Sequence, residues 1–140
     1  PRHWRSQLRI PGIKAAPMAV SPAAWLGQAA AAILGAPAAA GRTFHLLARA
    51  PTQEAFFAAL ADRAGFPGLR IQTPRRGAIR NPTRLEARAH ASIAHQLDYL
   101  SNDLAFDCTG AHELLAELGV PVADLRGAAL QRYVDRLAES

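Results

Sequence analysis

The sequence predicts an α/β fold dominated by helices, an α+β arrangement with a few short strands. Three observations lead there. Several stretches of 10–18 residues carry apolar side chains at helical spacing. Between them lie short β-prone or apolar runs, such as Thr43–Leu47 and Leu69–Ile71. Glycine and proline punctuate nearly every junction. The 140 residues make one domain, or a substantial piece of one.

Residues 1–20 hold Pro1, Pro11, Gly12 and Pro17, with Trp4 and Leu8 as apolar anchors. They predict a short helix or irregular arm, then a strand-like Ala16–Val20. Ser21 is the expected N-cap of a first helix, with Pro22 where a missing N–H costs nothing. That helix runs to about Leu34, with Trp25, Ala29, Ala32 and Ile33 on one face, and Gly35 and Pro37 end it. Thr43–Leu47 reads as a strand buried on both faces. Thr52 opens a second helix, with no capping box because Ala55 stands at its third position. Phe56, Leu60 and Ala64 line one face, and Gly65 stops it.

Residues 72–83 read as an arginine- and proline-rich loop, punctuated by Pro74, Gly77 and Pro82. A long helix is expected from Thr83 to about Leu100, with Leu85, Ile93, Leu97 and Leu100 as its stripe. Ala105-Phe106-Asp107 is a brief extended piece. A helix then runs through Leu118, with Leu114, Leu115 and Leu118 inward, until Gly119 and Pro121. The last helix spans roughly Gly127–Ala138 and buries Leu130, Tyr133, Val134 and Leu137.

Half of the residues are hydrophobic but aromatics are only 6%, and much of the apolar share is alanine. The expected core is thin, and an exposed apolar face follows. Net charge is +5, carried by fifteen arginines and one lysine. Residues 1–100 hold 13 basic and 4 acidic side chains; residues 101–140 hold 3 and 7. A solvated basic face accounts for this, and an acidic partner is the alternative. Six arginines fall between Arg70 and Arg88. They lack the interleaved aromatics of a single-strand nucleic-acid platform, so nucleic acid is not the expected partner.

Cys108 is the single cysteine, which excludes an intramolecular disulfide and fits a reducing, cytoplasmic setting. The apolar run Ala29–Leu34 is too short to span a membrane. Pro1 at the start reads as the mark of a fragment, a processed product or a trimmed chain. His112-Glu113 is not followed by a second histidine at 116, and His90 and His95 are roughly 140° apart on a helix, so no zinc site is expected. No Gly-x-Ser-x-Gly elbow or phosphate-binding loop occurs. Cys108 has no activating cation nearby in sequence. His45 reads as a satisfied structural histidine, and Asp107 as a cap on the helix that follows.

Several segments together resemble the C-terminal part of an extended short-chain dehydrogenase/reductase. The branch is that of the thioester reductases and their fatty-acyl reductase relatives. Pro22, Trp25 and Leu26 match a family stretch that starts a helix, with Ala24 where the family has aspartate. Gly41, Phe44, His45 and Leu46 match its Gly-x-x-Phe-His-Leu. Gly65-Phe66, Phe106-Asp107, Gly119-Val120-Pro121 and Tyr133 follow in family order, while Cys108 and Gly110 replace asparagines. The resemblance implies the substrate-binding C-terminal lobe of a Rossmann-type reductase, with the last strand and helix of the nucleotide fold. It implies NADPH held by a separate N-terminal half, and none expected for this chain alone. It implies reduction of acyl thioesters carried by an acyl or peptidyl carrier protein, on a phosphopantetheine arm, or by CoA. Tyr99 and Tyr133 have Asp103 and Leu137 four residues on, so no catalytic Tyr-x-x-x-Lys is present and no catalytic, cofactor or metal residue is assigned. The substrate wall is expected at Met18, Trp25, Leu97 and Tyr99. Carrier docking is expected at Arg75, Arg76 and Arg80. The competing class is a non-catalytic interaction module that binds an acyl chain or an acidic protein. A degenerate piece without activity is the third.

Overall fold

The computed structural model describes residues 7–73 and 79–139. Among them the chain is an α/β fold of six α-helices and a two-stranded parallel sheet. The order is β1 (Leu8–Pro11), α1 (Ala23–Leu34), a 3-10 turn (Pro37–Ala39), α2 (Gln53–Arg63), β2 (Leu69–Gln72), α3 (Arg84–Ser92), α4 (Ala94–Leu100), α5 (Thr109–Glu117) and α6 (Ala128–Leu137). None of the helices is long and apolar enough to cross a membrane.

The sheet aligns Leu8 with Leu69 and Ile10 with Ile71. Ile10 and Ile71 are buried and meet Leu100 at the end of α4, forming one apolar cluster. A two-stranded sheet is marginal alone, and two buried polar side chains hold this one in place. Glu86 of α3 accepts from the backbone N–H of Arg9 (3.0 Å) and from its guanidinium (2.6 and 2.7 Å). It also accepts from the N–H of Thr83 (2.8 Å), completing a capping box at the start of α3. His90 Nε2, one helical turn on, donates to Arg9 O (2.7 Å). On the other side, Gln53 accepts from Ile13 N–H (3.0 Å) and donates to Leu100 O (3.1 Å). Gly12 lies against that amide: an added Cβ would meet Gln53 Oε1 at 2.5 Å.

A second cluster joins Phe56 of α2 to Leu130 and Val134 of α6. A third joins Trp25, Ala29 and Ile33 of α1 to Leu114 and Leu115 of α5, with Ala48 and Leu125. Met18 touches the first and second clusters, and Val20 the second and third. The segment between β1 and α1 therefore stitches the core together.

Several expectations are corrected. The arm of residues 1–20 contributes β1. Ala16–Val20 forms only an isolated bridge, Pro17 to Thr52. Thr43–Leu47 is not in a hydrogen-bonded ladder and is not buried on both faces: His45 is exposed, and Phe44, Leu46 and Leu47 are half-buried. No described strand lies beside it to build a ladder with. Ala105–Asp107 likewise forms no strand. The helix expected over 83–100 breaks at Ile93 (φ −114°, ψ 19°). There Ser92 Oγ donates back to Arg88 O and the Ile93 N–H is shared between Ala89 O and His90 O, a tightened turn that ends one helix and starts the next. Ser21 does not cap α1; its Oγ accepts from Ala48 N–H at 2.9 Å, and Pro22 is the uncapped N-terminal residue. Leu85, Leu118 and Leu137, expected inward, are 51%, 40% and 46% exposed. Thr52 caps α2 as expected, accepting from Ala55 N–H.

The Arg9–Glu86 pair holds the Glu86 carboxyl well below its usual range, chiefly through the guanidinium hydrogen bonds. A depressed carboxylate contributes stability that is present above the unfolded value of about 4.3 and is lost as pH falls below it. Urea unfolding is expected to show stability falling from about pH 5 down to about pH 2, and Glu86→Gln should flatten part of that slope. Glu86→Ala at pH 7 should cost about 3 kcal/mol, because Arg9 and the α3 N-terminus lose their acceptor.

Candidate functional site

Residues 42–49 run between α1 and α5 and organise the surface around them. Ala48 N–H is held by Ser21, Arg49 N–H donates to Ala123 O (2.8 Å), and Leu125 N–H donates to Arg49 O (2.9 Å). His112 of α5 donates through Nε2 to Leu47 O (2.9 Å). Side chains alternate as in a strand. Phe44 and Leu46 pack on the Trp25 cluster, while exposed His45 meets Phe106 edge-on, with centroids 5.6 Å apart. His45 Nδ1 lies 3.4 Å from Asp107 O. His45 is thus a surface residue rather than the interior histidine expected.

The backbone of Thr43, Phe44, His45 and Leu46 makes no hydrogen bond among the described residues. Four consecutive peptide groups are left open, although both ends of the segment are tied down. The segment is extended, and none of the described residues pairs with these groups.

Two cavities flank this segment. One, about 620 Å³, is a groove between the end of α1, the 3-10 turn and the side chains of Phe44 and Leu46. Arg42 is its only charged lining residue among the described residues, with the guanidinium 4.9 Å above the centre of the Phe44 ring. Leu34, at its edge, is 86% exposed. The other, about 210 Å³, is lined by Leu104, Phe106, Cys108 and His112, among others. Burial pushes the Cys108 thiol up; a backbone bond from Leu47 opposes this, and the Asp107 carboxylate adds a smaller upward push. That is the reverse of an activated nucleophile. Asp107 Oδ1 accepts from Thr109 N–H (3.0 Å), which lowers its own pKa. It serves the start of α5 as expected, one position before the formal cap, Cys108.

Met18 and Tyr99 both pack on the Ile10–Ile71–Leu100 cluster, and Tyr99 Oη accepts from Ala19 N–H at 3.0 Å. Leu97 is half-buried on α4. Trp25 is in the separate α1–α5 cluster, its Nε1 donating to Pro121 O (2.9 Å). Met18 and Tyr99 are therefore brought together and Trp25 is not; neither of the two cavities is lined by any of the four. Arg75 and Arg76 lie outside the described residues. Arg80 is exposed, and no described ion pair engages it. Among the described residues no cluster of three or more His, Cys, Asp or Glu is placed to hold a metal ion. The groove itself was missed in the sequence; Arg42 and Phe44 within the Gly41–Leu46 segment were its available signal.

No protein-family model, no curated protein and no solved structure matches this chain.

Alkylation of Cys108 at pH 7.5 is expected to run slower than that of a free small thiol, because the thiolate fraction is reduced. Mass-spectrometric timing against glutathione checks this; equal or faster labelling contradicts the burial argument.

Proposed function

We propose that this chain is the substrate-binding portion of an NADPH-dependent reductase acting on acyl thioesters carried by a carrier protein or CoA. The carrying observation is the open edge at Thr43–Leu46. An extended segment tied at both ends, with four unpaired peptide groups, fits the outer strand of a larger sheet whose remainder belongs to other polypeptide. The family resemblance supplies the identity of that remainder: a Rossmann half bearing the glycine fingerprint and the Tyr–Lys pair. The small parallel sheet, its helices and the cluster around Met18 and Tyr99 would then form the substrate lobe.

The residues of this chain do not fit a dinucleotide. The larger groove is apolar and offers one guanidinium, with no glycine-rich turn at a helix start to receive a diphosphate. Cofactor binding is therefore assigned to the preceding half, and this chain's part is to hold the acyl chain and dock the carrier. The apolar side chains of Met18, Leu97 and Tyr99 suit an alkyl chain. The exposed cation of Arg80, with Arg75 and Arg76 near it in sequence, suits an acidic carrier surface or a pantetheine phosphate.

The alternative, a non-catalytic module binding an acyl chain or an acidic protein, is favoured by the groove beside Arg42, which is formed without any second half. Cofactor dependence separates the two. The native polypeptide bearing this sequence, isolated from source cells, should oxidise NADPH when given an acyl-phosphopantetheine thioester. A polypeptide that neither binds nor oxidises NADPH would rule out the reductase and leave the binding module.

A further inference from the structure

We infer that the groove between α1 and residues 42–46 is a binding site for an amphiphile with an unbranched alkyl chain and an anionic head. The site lies apart from Met18, Leu97 and Tyr99, and it does not rest on the reductase reading. Its walls are alanines (Ala30, Ala39 and Ala40), Ile33, Phe44 and Leu46. Small side chains on α1 and the 3-10 turn leave the space; the larger ones give it an apolar floor. At about 620 Å³ it falls within the range of small-molecule pockets, roughly 300–1,000 Å³.

The head group follows from Arg42. Its guanidinium stacks over Phe44, lies beside Gly110 at the start of α5 and makes one long hydrogen bond, 3.5 Å to Ala38 O. None of the described ion pairs includes it, so among the described residues a cation without a counter-ion lines an apolar groove. A carboxylate or phosphate there gains a charge-assisted hydrogen bond, with geometry fixed by the ring beneath. A neutral head gains little, and a cationic one is repelled. Phe44 and Leu46 meet the groove through their side chains, whereas the open peptide groups lie along the segment's edge. A strand added to that edge leaves the groove available.

Titration of the 140-residue chain with dodecanoate, dodecyl phosphate and dodecanol, followed by calorimetry, tests the assignment. Both anions should saturate one site below about 1 mM, at least about tenfold more tightly than the alcohol. The tighter of the two distinguishes a fatty-acid head from a phosphate head. Arg42→Gln should remove the preference for the anions and leave dodecanol binding unchanged. Ala40→Trp, at an exposed wall position, should abolish binding of all three with the melting temperature preserved; Ala30→Phe serves on the opposite wall if that variant fails to fold. Equal affinity for dodecanol and the anions in the unmodified chain, or full binding in a folded wall-filling variant, would overturn the proposal.

Discussion

An extended backbone has to hydrogen-bond to something, and in this protein that requirement falls on one segment. Residues 42–49 are the spine against which α1, α5 and the 120–125 turn are assembled. Ser21 reaches it from before α1, His112 from α5, and Ala123 and Leu125 from the last loop. Each bond satisfies a group near its C-terminal end. The N-terminal half, Thr43–Leu46, keeps its peptide groups open, and its side chains carry the local packing instead. Both features from which function is proposed depend on this division: the segment unpaired among the described residues and the Arg42–Phe44 groove.

The remaining structure is a compact answer to a thin core. Alanine and short strands bury little area per residue, so polar residues are drawn into holding elements together. Glu86 and Gln53, each 1% exposed, clamp the two-stranded sheet from opposite sides. Buried polar groups of this kind are costly unless every lone pair and proton is used. Glu86 meets that condition with four accepted bonds; Gln53 uses both of its polar atoms, with one bond accepted and one donated. The described fold is thereby organised by specific bonds as much as by apolar area.

Much of the helical framework was legible in the sequence. Pro22, Thr52, Gly65, Gly119 and Gly127 mark real boundaries because their backbone preferences are local. Trp25, Ala29 and Ile33, and Leu130 with Val134, follow helical spacing and are buried. The strands were less legible, since pairing is a property of two segments. Leu8–Pro11 looked like an arm until Leu69–Gln72 lay beside it, while Thr43–Leu47 has strand composition without a described partner. The Glu86 clamp was hidden for the same reason: Arg9 is 77 residues away. Ser21 misled because its hydroxyl chose a tertiary donor, Ala48, over the helix end. The groove was not legible from the Gly41–Leu46 motif that lines part of it, because it needs α1 folded against that segment. Met18 and Tyr99 do meet, whereas Trp25 is committed to a different cluster.

The central proposal is that Thr43–Leu46 pairs with a further strand in the native polypeptide. Amide hydrogen exchange measured by NMR, on the 140-residue chain and on the native polypeptide that carries it, addresses this directly. The account predicts near-unprotected exchange of the Thr43–Leu46 amides in the isolated chain, beside strong protection of Ala29 and Leu115. In the native polypeptide the alternate amides facing the added neighbour, either Thr43 and His45 or Phe44 and Leu46, should slow by orders of magnitude. Protection in the isolated chain equal to that of Ala29, or no change in the native polypeptide, would contradict it.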